Sequence, residues 1–174
     1  MYCISATLKG IPTDCESNLG GIQKVFIANY EDDIFTISAD VVSDLSSAVT
    51  WYEYNFRPES SSFTSTLQKN ENGGNYVTTE ISLSFARMDT QKRIELNAMA
   101  LNDMTVIVLD NNQKFWYFGM NRPVVSSTGT GESGQAFGDG NRYTVTLNAT
   151  DGKFAPELSD EAIAVLKAHI YSNN

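Results

Sequence analysis

The sequence predicts a mainly β protein: an antiparallel β-sandwich or small barrel with a long protruding hairpin, a packed helix at about residues 89 to 102 and a short C-terminal helix. Three observations lead to this fold class. Apolar and polar residues alternate over several stretches of strand length. The residue types that favour strands, Val, Ile, Thr, Tyr and Phe, are frequent. Clusters of Asn, Asp and Gly separate the alternating stretches and favour chain reversals.

The length and charge of the chain restrict what it can be. A chain of 174 residues is long enough for one well-packed domain and short for two, so we expect a single domain over residues 1 to 174. Twelve Lys and Arg residues stand against 21 Asp and Glu residues, which gives a formal net charge of −9. Because the basic residues are scattered, the composition argues against a protein that grips nucleic acid through its phosphates.

The two cysteines and the hydropathy pattern indicate a cytoplasmic site of synthesis and folding. Cys3 and Cys15 lack the short spacing of zinc and redox motifs. We expect reduced thiols, with a disulfide between them as the alternative. The sequence shows no secretory segment and no apolar run of membrane-spanning length, so no membrane partner is expected.

The first third of the chain predicts short strands around irregular segments. Residues 1 to 21 are irregular, and residues 22 to 30 form a strand with apolar residues on both faces, which indicates a central position. A short strand at residues 34 to 38 precedes a polar segment at 40 to 47, which reads as a loop or a weak helix. Residues 50 to 56 predict a half-buried strand that turns its aromatic side chains inward. Those inward side chains are Tyr52, Tyr54 and Phe56.

Residues 62 to 86 give the clearest hairpin signal. In both arms an apolar face alternates with an uncharged polar face, and a turn rich in Asn and Gly lies between the arms. The side chains expected to face the sandwich core are Phe63, Leu67, Ile81, Leu83 and Phe85.

The remaining elements alternate helix, hairpin, loop and strand. Asp89 is a plausible N-cap for a helix whose residues Ile94, Ala98 and Leu101 would pack on a sheet. Residues 105 to 118 predict a second hairpin, residues 119 to 140 a glycine-rich loop and residues 143 to 148 a strand. Ser159 is expected to cap a helix at residues 160 to 170 with an apolar stripe of Ile163, Leu166 and Ile170.

No motif indicates catalysis, a cofactor or a metal site. The letters G-x-G-x-x-G occur at residues 129 to 134, but a dinucleotide site needs a helix after them and the sequence predicts a loop and a strand. His169 is the only histidine, so no site with two imidazoles can form. The acidic cluster at residues 31 to 33 lacks the spaced oxygen ligands of a calcium loop. We expect a protein that is not an enzyme and holds no cofactor.

Residues 50 to 147 form a succession of hairpin, helix, hairpin, glycine-rich loop and closing strand. The segments of interest within it are Ser62-Phe63-Thr64-Ser65-Thr66, Asn72-Gly73-Gly74, Thr79-Glu80-Ile81-Ser82-Leu83-Ser84-Phe85, Lys92-Arg93-Ile94, residues 106 to 116 and residues 138 to 147. Taken together, these segments resemble the tail tube proteins of long-tailed bacteriophages and the related tubes of secretion and injection systems. Residues 19 to 25 also look like tube proteins of phages that infect gut Bacteroidetes.

The resemblance implies a structural role in a virion. Members of this family are small β-sandwich subunits that form hexameric rings, and the rings stack into a hollow tube around a tape-measure protein and later around passing double-stranded DNA. The implied partners are other copies of the chain, the tape-measure protein and the tail terminator. The implied location is the virion tail, assembled in the host bacterial cytoplasm.

The resemblance and the hairpin's polar face together predict where each part of the subunit lies. A wall that conducts DNA should not bind it, which favours acidic and uncharged polar side chains. The residues expected to line the lumen are Ser62, Thr64, Thr66, Gln68, Thr78, Glu80, Ser82 and Ser84. The residues expected to contact a neighbouring ring are those of the hairpin tip: Lys69, Asn70, Glu71, Asn72, Gly73, Gly74 and Asn75.

Two alternatives stay open on the sequence. A tail terminator or connector protein of the same fold would share most of these features. A carbohydrate-binding β-sandwich module would instead use an exposed aromatic platform, for which Trp51, Trp116 and the tyrosines are candidates.

Overall fold

The computed structural model describes residues 9–13 and 15–172, and it confirms a mainly β fold with two helices. Cys15 is exposed, and Cys3 lies outside the described residues. The strands are β1 (Ile22–Asn29), β2 (Phe35–Ser38), β3 (Val41–Leu45), β4 (Tyr52–Asn55), β5 (Ser62–Lys69), β6 (Asn75–Ala86), β7 (Met104–Asp110), β8 (Phe115–Phe118), β9 (Val125–Glu132) and β10 (Arg142–Asp151). The helices are α1 (Thr90–Leu101) and α2 (Asp160–Ala168).

Two four-stranded antiparallel sheets form the sandwich. The central sheet has the order β4-β1-β7-β8, and the outer sheet has the order β5-β6-β10-β9. β1 pairs with β4 on one side and with β7 on the other, with Val25 opposite Tyr54 and Val108. The central position predicted for the first strand is therefore confirmed. Among the described residues the sheets do not close into a barrel.

The predicted long hairpin is confirmed as β5 and β6. Phe63 lies opposite Ile81 and Leu67 opposite Val77, so the apolar residues of both arms share one face. The tip alone protrudes, because residues 77 to 86 of β6 pair with β10 along their whole length.

Apolar side chains fill the space between the two sheets. Alternation along β6 and β10 points one face of the outer sheet inward, where it meets one face of the central sheet. The buried members of this cluster are Ile22, Val25, Ile27, Ile81, Leu83, Met99, Met104, Val106, Val108, Phe118, Val124, Val145, Leu147 and Ala149.

A second apolar cluster covers the opposite face of the central sheet. The β2–β3 hairpin and α2 pack there against residues such as Phe26, Ile107 and Tyr117. Ser159 caps α2 as predicted, accepting a hydrogen bond from the Ala162 N–H at 3.2 Å, and Leu166 is fully buried. The central sheet is therefore buried on both faces, whereas the outer sheet is buried on one.

Two segments predicted as loops are strands. Residues 41 to 45 form β3, which pairs with β2, although the segment 40 to 47 predicts a loop or a weak helix. Residues 125 to 132 form β9 inside the predicted glycine-rich loop. Gly129 and Gly131 lie on the inner side of β9, where an added Cβ at Gly131 would approach the Tyr143 ring to 3.0 Å. Glycine therefore provides room at the sheet edge here.

The predicted packing face of α1 is wrong, although the helix and its N-cap Asp89 are confirmed. The helix turns Leu96 and Met99 into the core, while Ile94 is 57% and Leu101 86% exposed. The helix closes one side of the sandwich between β4 and β9, and in this position it buries the face nearly opposite the predicted stripe.

The inward aromatic face predicted at residues 50 to 56 is partly wrong. Tyr54 and Phe56 do pack on the core, but Tyr52 is mostly outside it. Trp51, on the opposite face of the strand, is fully buried in the second cluster. The two faces of the central sheet are both buried, so alternation does not mark a solvent side there.

Truncation of side chains on the two faces of β6 should lower the stability of the fold by very different amounts. Leu83→Ala should lower the free energy of unfolding by about 2 to 5 kcal/mol, because Leu83 is fully buried and its loss leaves a cavity. The adjacent change Ser82→Ala, on the other face, should cost less than about 0.5 kcal/mol. Urea unfolding followed by circular dichroism measures both. Equal losses for the two variants would contradict the assigned faces.

Candidate functional site

One face of the outer sheet contains no buried residue, and we call it the open face. The strand register places every residue predicted to line a lumen on this face. Across the sheet, Thr64 is opposite Glu80, and Glu80 is opposite Asn148. The predicted residues are all exposed or half-buried: Ser62, Thr64, Thr66, Gln68, Thr78, Glu80, Ser82 and Ser84.

The open face extends beyond the residues that the sequence singles out. β10 and β9 add a further set of hydroxyl and amide side chains in register with the hairpin: Thr144, Thr146, Asn148 and Thr150 from β10, and Thr128 and Thr130 from β9. The β9 residues were predicted to form a loop, because Gly129 and Gly131 alternate with the threonines of this segment. The regular spacing of Thr128, Thr130 and Glu132 is the signal that shows the alternation.

The open face is almost free of charge. Arg142 is the one basic residue among its described side chains, and its Nε lies 3.3 Å from Glu132 Oε2 at the end of the sheet. Glu80 is a lone carboxylate near the middle. Hydroxyl and amide side chains cover most of the remainder, with the exposed Val125 opposite Asn148. The face therefore offers many weak hydrogen-bonding groups and no cluster of cations.

The outer sheet has two unpaired edge strands, β5 and β9. One edge of the central sheet is covered, because the segment 156 to 158 lies along β8. The Tyr117 N–H donates to Pro156 O and the Leu158 N–H donates to Phe115 O, both at 3.0 Å. An uncovered edge presents free N–H and C=O groups that can pair with another chain. In the described chain β5 and β9 therefore keep one side without a strand partner, and α1 packs near β9.

The turn of the hairpin fixes which groups of β5 point away from the sheet. The Asn70 N–H donates to Gly74 O at 3.0 Å, so the narrow hydrogen-bonded pairs fall on even-numbered residues of β5. The backbone groups of Ser65, Leu67 and Lys69 point outward. Leu67 was predicted to face the core; its side chain is on that side but 51% exposed, because β5 is an edge strand.

The hairpin tip, residues 69 to 75, is an organised turn whose residues are all exposed. Asn70 Oδ1 accepts the Gly74 N–H at 2.7 Å, and the Gly73 N–H donates to Asn70 O at 3.1 Å. Gly73 has a φ of 80°, the left-handed region in which glycine is favoured. The tip therefore presents its backbone and its polar side chains in a defined shape.

The other motifs considered in the sequence do not form sites among the described residues. The glycine motif at 129 to 134 lies in β9 and the turn after it, with no helix following. His169 Nδ1 lies 2.8 Å from Val165 O, within its own helix end. No three His, Cys, Asp or Glu side chains in the described ranges are placed to share a metal ion.

The two tryptophans do not form an aromatic platform. Trp51 is fully buried, and the Trp116 Nε1–H donates to Asp110 Oδ2 at 2.9 Å while its ring packs on the core. Of the aromatic candidates for a sugar-stacking surface, the exposed tyrosines Tyr52 and Tyr171 remain, with ring centroids 5.4 Å apart.

Comparisons with known proteins found no protein-family model, no curated protein and no solved structure that matches this chain. The likeness to tail tube proteins thus stays a prediction from the sequence. In the described part of the chain neither helix has the length and apolarity needed to cross a membrane.

The open edge of β5 predicts an alternating pattern of amide hydrogen exchange. In dilute, unassembled protein the amides of residues 65, 67 and 69 should exchange faster than those of 64, 66 and 68, which donate across to β6. NMR-detected exchange measures both sets in one sample. Uniform protection of all six amides in the monomer would contradict the free edge.

Proposed function

We propose that the chain is a structural virion protein that assembles into stacked hexameric rings and forms the hollow tail tube of a long-tailed bacteriophage, through which DNA passes. The observation that carries the proposal is the outer sheet, which combines a polar face that has few charges with an unpaired strand at each edge. The sheet belongs to the part of the chain that resembles tail tube proteins.

The strand directions favour joining one subunit to the next through β9 and β5. Within the sheet each neighbouring pair is antiparallel, so β9 runs opposite to β5. When a rotation about an axis along the strands places a second copy beside the first, β9 of one meets β5 of the other in antiparallel orientation. The ladder can then continue around a ring, and closure of the ring removes the open edges.

The strands are also staggered as a closed ring of strands requires. β5 pairs with residues 75 to 82 of β6, whereas β9 is connected through β10 to residues 80 to 86. Full pairing of β9 with the next β5 therefore shifts each subunit along the strand direction. Strands that close into a barrel are tilted and carry this kind of shear.

The two sides that would meet both expose apolar residues. Leu19 and Leu67 lie on the β5 side and are 56% and 51% exposed. Ile94 and Leu101 lie on the outward surface of α1, which closes the side that ends in β4 and β9. Burial of this surface between subunits would stabilise a ring, at about 25 cal/mol per Å² of apolar area removed from water.

The chemistry of the open face suits a channel for DNA. Lysine or arginine on the wall would bind phosphates and hold the DNA, whereas hydroxyl groups and a few carboxylates would not. In the assembly that we propose, the open face forms the lumen and hairpin tips contact the next ring. The tape-measure protein and the tail terminator are the proposed partners, and a terminator or connector of the same fold is the nearest alternative.

Purified protein tests the proposal directly. We expect size-exclusion chromatography of concentrated protein to show large species and negative-stain electron microscopy to show rings or tubes with a central channel. A persistent monomer at high concentration would contradict the proposal, and glycan binding by that monomer would favour the carbohydrate module.

A proline in the edge strand should block ring formation without unfolding the subunit. The Leu67 N–H points away from β6, so Leu67→Pro removes a donor that only a neighbouring copy would use. We expect circular dichroism like that of the wild type and no large species on size exclusion. Leu67→Ala is the matched control and should still assemble. Rings formed by Leu67→Pro would contradict the edge-to-edge contact.

A positive charge in the lumen should make assembled particles retain DNA. Glu80→Lys places an ammonium group near the middle of the open face, and six copies in each ring would contact phosphates. Assembly should be unchanged, DNA passage should slow, and binding should weaken steeply with added salt. Glu31→Lys, exposed outside this face, is the control for net charge. Equal DNA retention by the two variants would contradict the placement of Glu80.

A further inference from the structure

The two ends of the outer sheet have different structures. At one end, the loop between β9 and β10, residues 133 to 141, follows the paired residues Glu132 and Arg142. At the other end lies the hairpin tip, beyond the pair of Lys69 and Asn75. If the strands run along a tube, one ring would present its 133–141 loop to the tips of the next ring.

The 133–141 loop holds a phenylalanine in solvent. The Phe137 side chain is fully exposed and belongs to neither apolar cluster. The exposure of a whole aromatic ring is costly in a loop, and such rings are typical anchors of protein contacts.

The loop is locked by hydrogen bonds on both sides of this phenylalanine. Asp139 Oδ2 accepts the Gln135 N–H at 2.8 Å and the Ala136 N–H at 2.7 Å. These backbone donors, Ala136 first, hold the pKa of the Asp139 carboxyl below its ordinary value, so it stays ionised at neutral pH. The Arg87 and Met88 N–H groups donate to Asn141, which ties the loop to the start of α1.

Gly134 is required for this loop shape. Its φ is 71°, and a Cβ added there would collide with Asp139 Cβ. A glycine that permits the turn and a carboxylate that closes it together preorganise Phe137, which lowers the entropy cost of binding.

A cavity at the opposite end of the sheet has the size and chemistry to receive an aromatic ring. It has a volume of about 370 Å³ and lies among Tyr76, Asn121, Arg122, Thr150 and Gly152, above Asp151. The Asp151 carboxylate is already engaged by the Asn121 N–H at 2.9 Å and the Gly119 N–H at 3.3 Å. Arg122 is exposed and forms no ion pair with another described residue. The groups free to contact a ligand are the Tyr76 ring and the Arg122 guanidinium.

We infer that Phe137 of one subunit inserts into the Tyr76–Arg122 cavity of a second copy of the chain in the next ring. This inference rests on the proposed function and names the surfaces that stack the rings. The Phe137 ring would pack against the Tyr76 ring and beneath the Arg122 guanidinium, which are favourable aromatic and cation–π arrangements. The hairpin tip, which continues into Tyr76, would lie beside this contact.

A subunit cannot make this contact with itself. The cavity lies at Tyr76 and the loop beyond Ala86, so the two are separated by ten residues of β6, or roughly 33 Å of extended strand. A knob and a hole at opposite ends of one molecule form a heterologous contact that repeats without closing. Such a contact extends a stack of rings indefinitely.

Phe137→Ala tests the inference. We expect rings of normal size by electron microscopy and an increase of at least about tenfold in the protein concentration at which rings stack. Tyr76→Ala and Gly134→Ala should have the same effect, the latter with Phe137 still present. Ile37→Ala, an exposed apolar residue on the β2–β3 hairpin, is the control and should stack like the wild type.

The double variant Phe137→Ala with Tyr76→Ala separates a shared contact from two independent ones. If the residues meet, the double variant should stack no worse than either single variant. Additive losses, or normal stacking by Phe137→Ala, would overturn the inference while leaving the rings intact. Absence of rings from the wild-type protein would instead overturn the proposed function.

Disulfide trapping gives an independent readout. With Cys3 and Cys15 changed to Ser, the pair Gly138→Cys and Asn121→Cys should form cross-linked ladders on mild oxidation of stacked particles, and reduction should dissolve them. Gly138→Cys with Ile37→Cys is the control pair and should give none. Ladders from the control pair alone would overturn the inference.

Discussion

Burial of the central sheet on both faces is the constraint from which the rest of the structure follows. β1 and β7 carry apolar residues on alternate sides, so each side must be covered. The β2–β3 hairpin and α2 cover one side, and the outer sheet covers the other. No other element of the described chain covers the second face of the outer sheet, and most of its side chains are polar. The open face is thus a consequence of how the core is built.

The sequence predicts the parts of this fold in which apolar and polar residues alternate. In the hairpin of β5 and β6 this alternation is interrupted on the core side by the hydrogen-bonded pair Ser65 and Thr79, yet both the pairing and the two faces are confirmed. β3 and β9 were missed because their strand character comes from pairing and not from composition. Gly131 leaves room for the Tyr143 ring. Because the sequence does not show that Tyr143 is a neighbour, the glycines in this segment predict a loop.

The packing face of helix α1 also could not be predicted from the local sequence. Ile94, Ala98 and Leu101 form the apolar stripe that the sequence predicts to be buried, yet the gap between β4 and β9 accepts Leu96 and Met99. Geometry set by the two sheets overrides the local pattern. Of the candidate site, the face that holds Thr64 and Glu80 was predictable from alternation. The edge of β9 and the 133–141 loop were not, because both depend on where the chain pairs after residue 119.

The polar face, the open edges and the unlike ends of one sheet all fit repeated contact with copies of the same chain. In the assembly that we propose, the edges join neighbours side by side, and the Phe137 loop and the Tyr76 cavity join them end to end. The sandwich core holds these surfaces at fixed distances from one another. A rigid subunit of this kind suits a regular assembly.

A cryo-electron microscopy map of the assembled protein would decide the arrangement. We predict a closed ladder in which β9 of each subunit pairs with β5 of the next, with Thr64, Glu80 and Thr146 facing the channel axis. A particle whose open face points outward, or whose subunits meet without any pairing of β5 and β9, would contradict it.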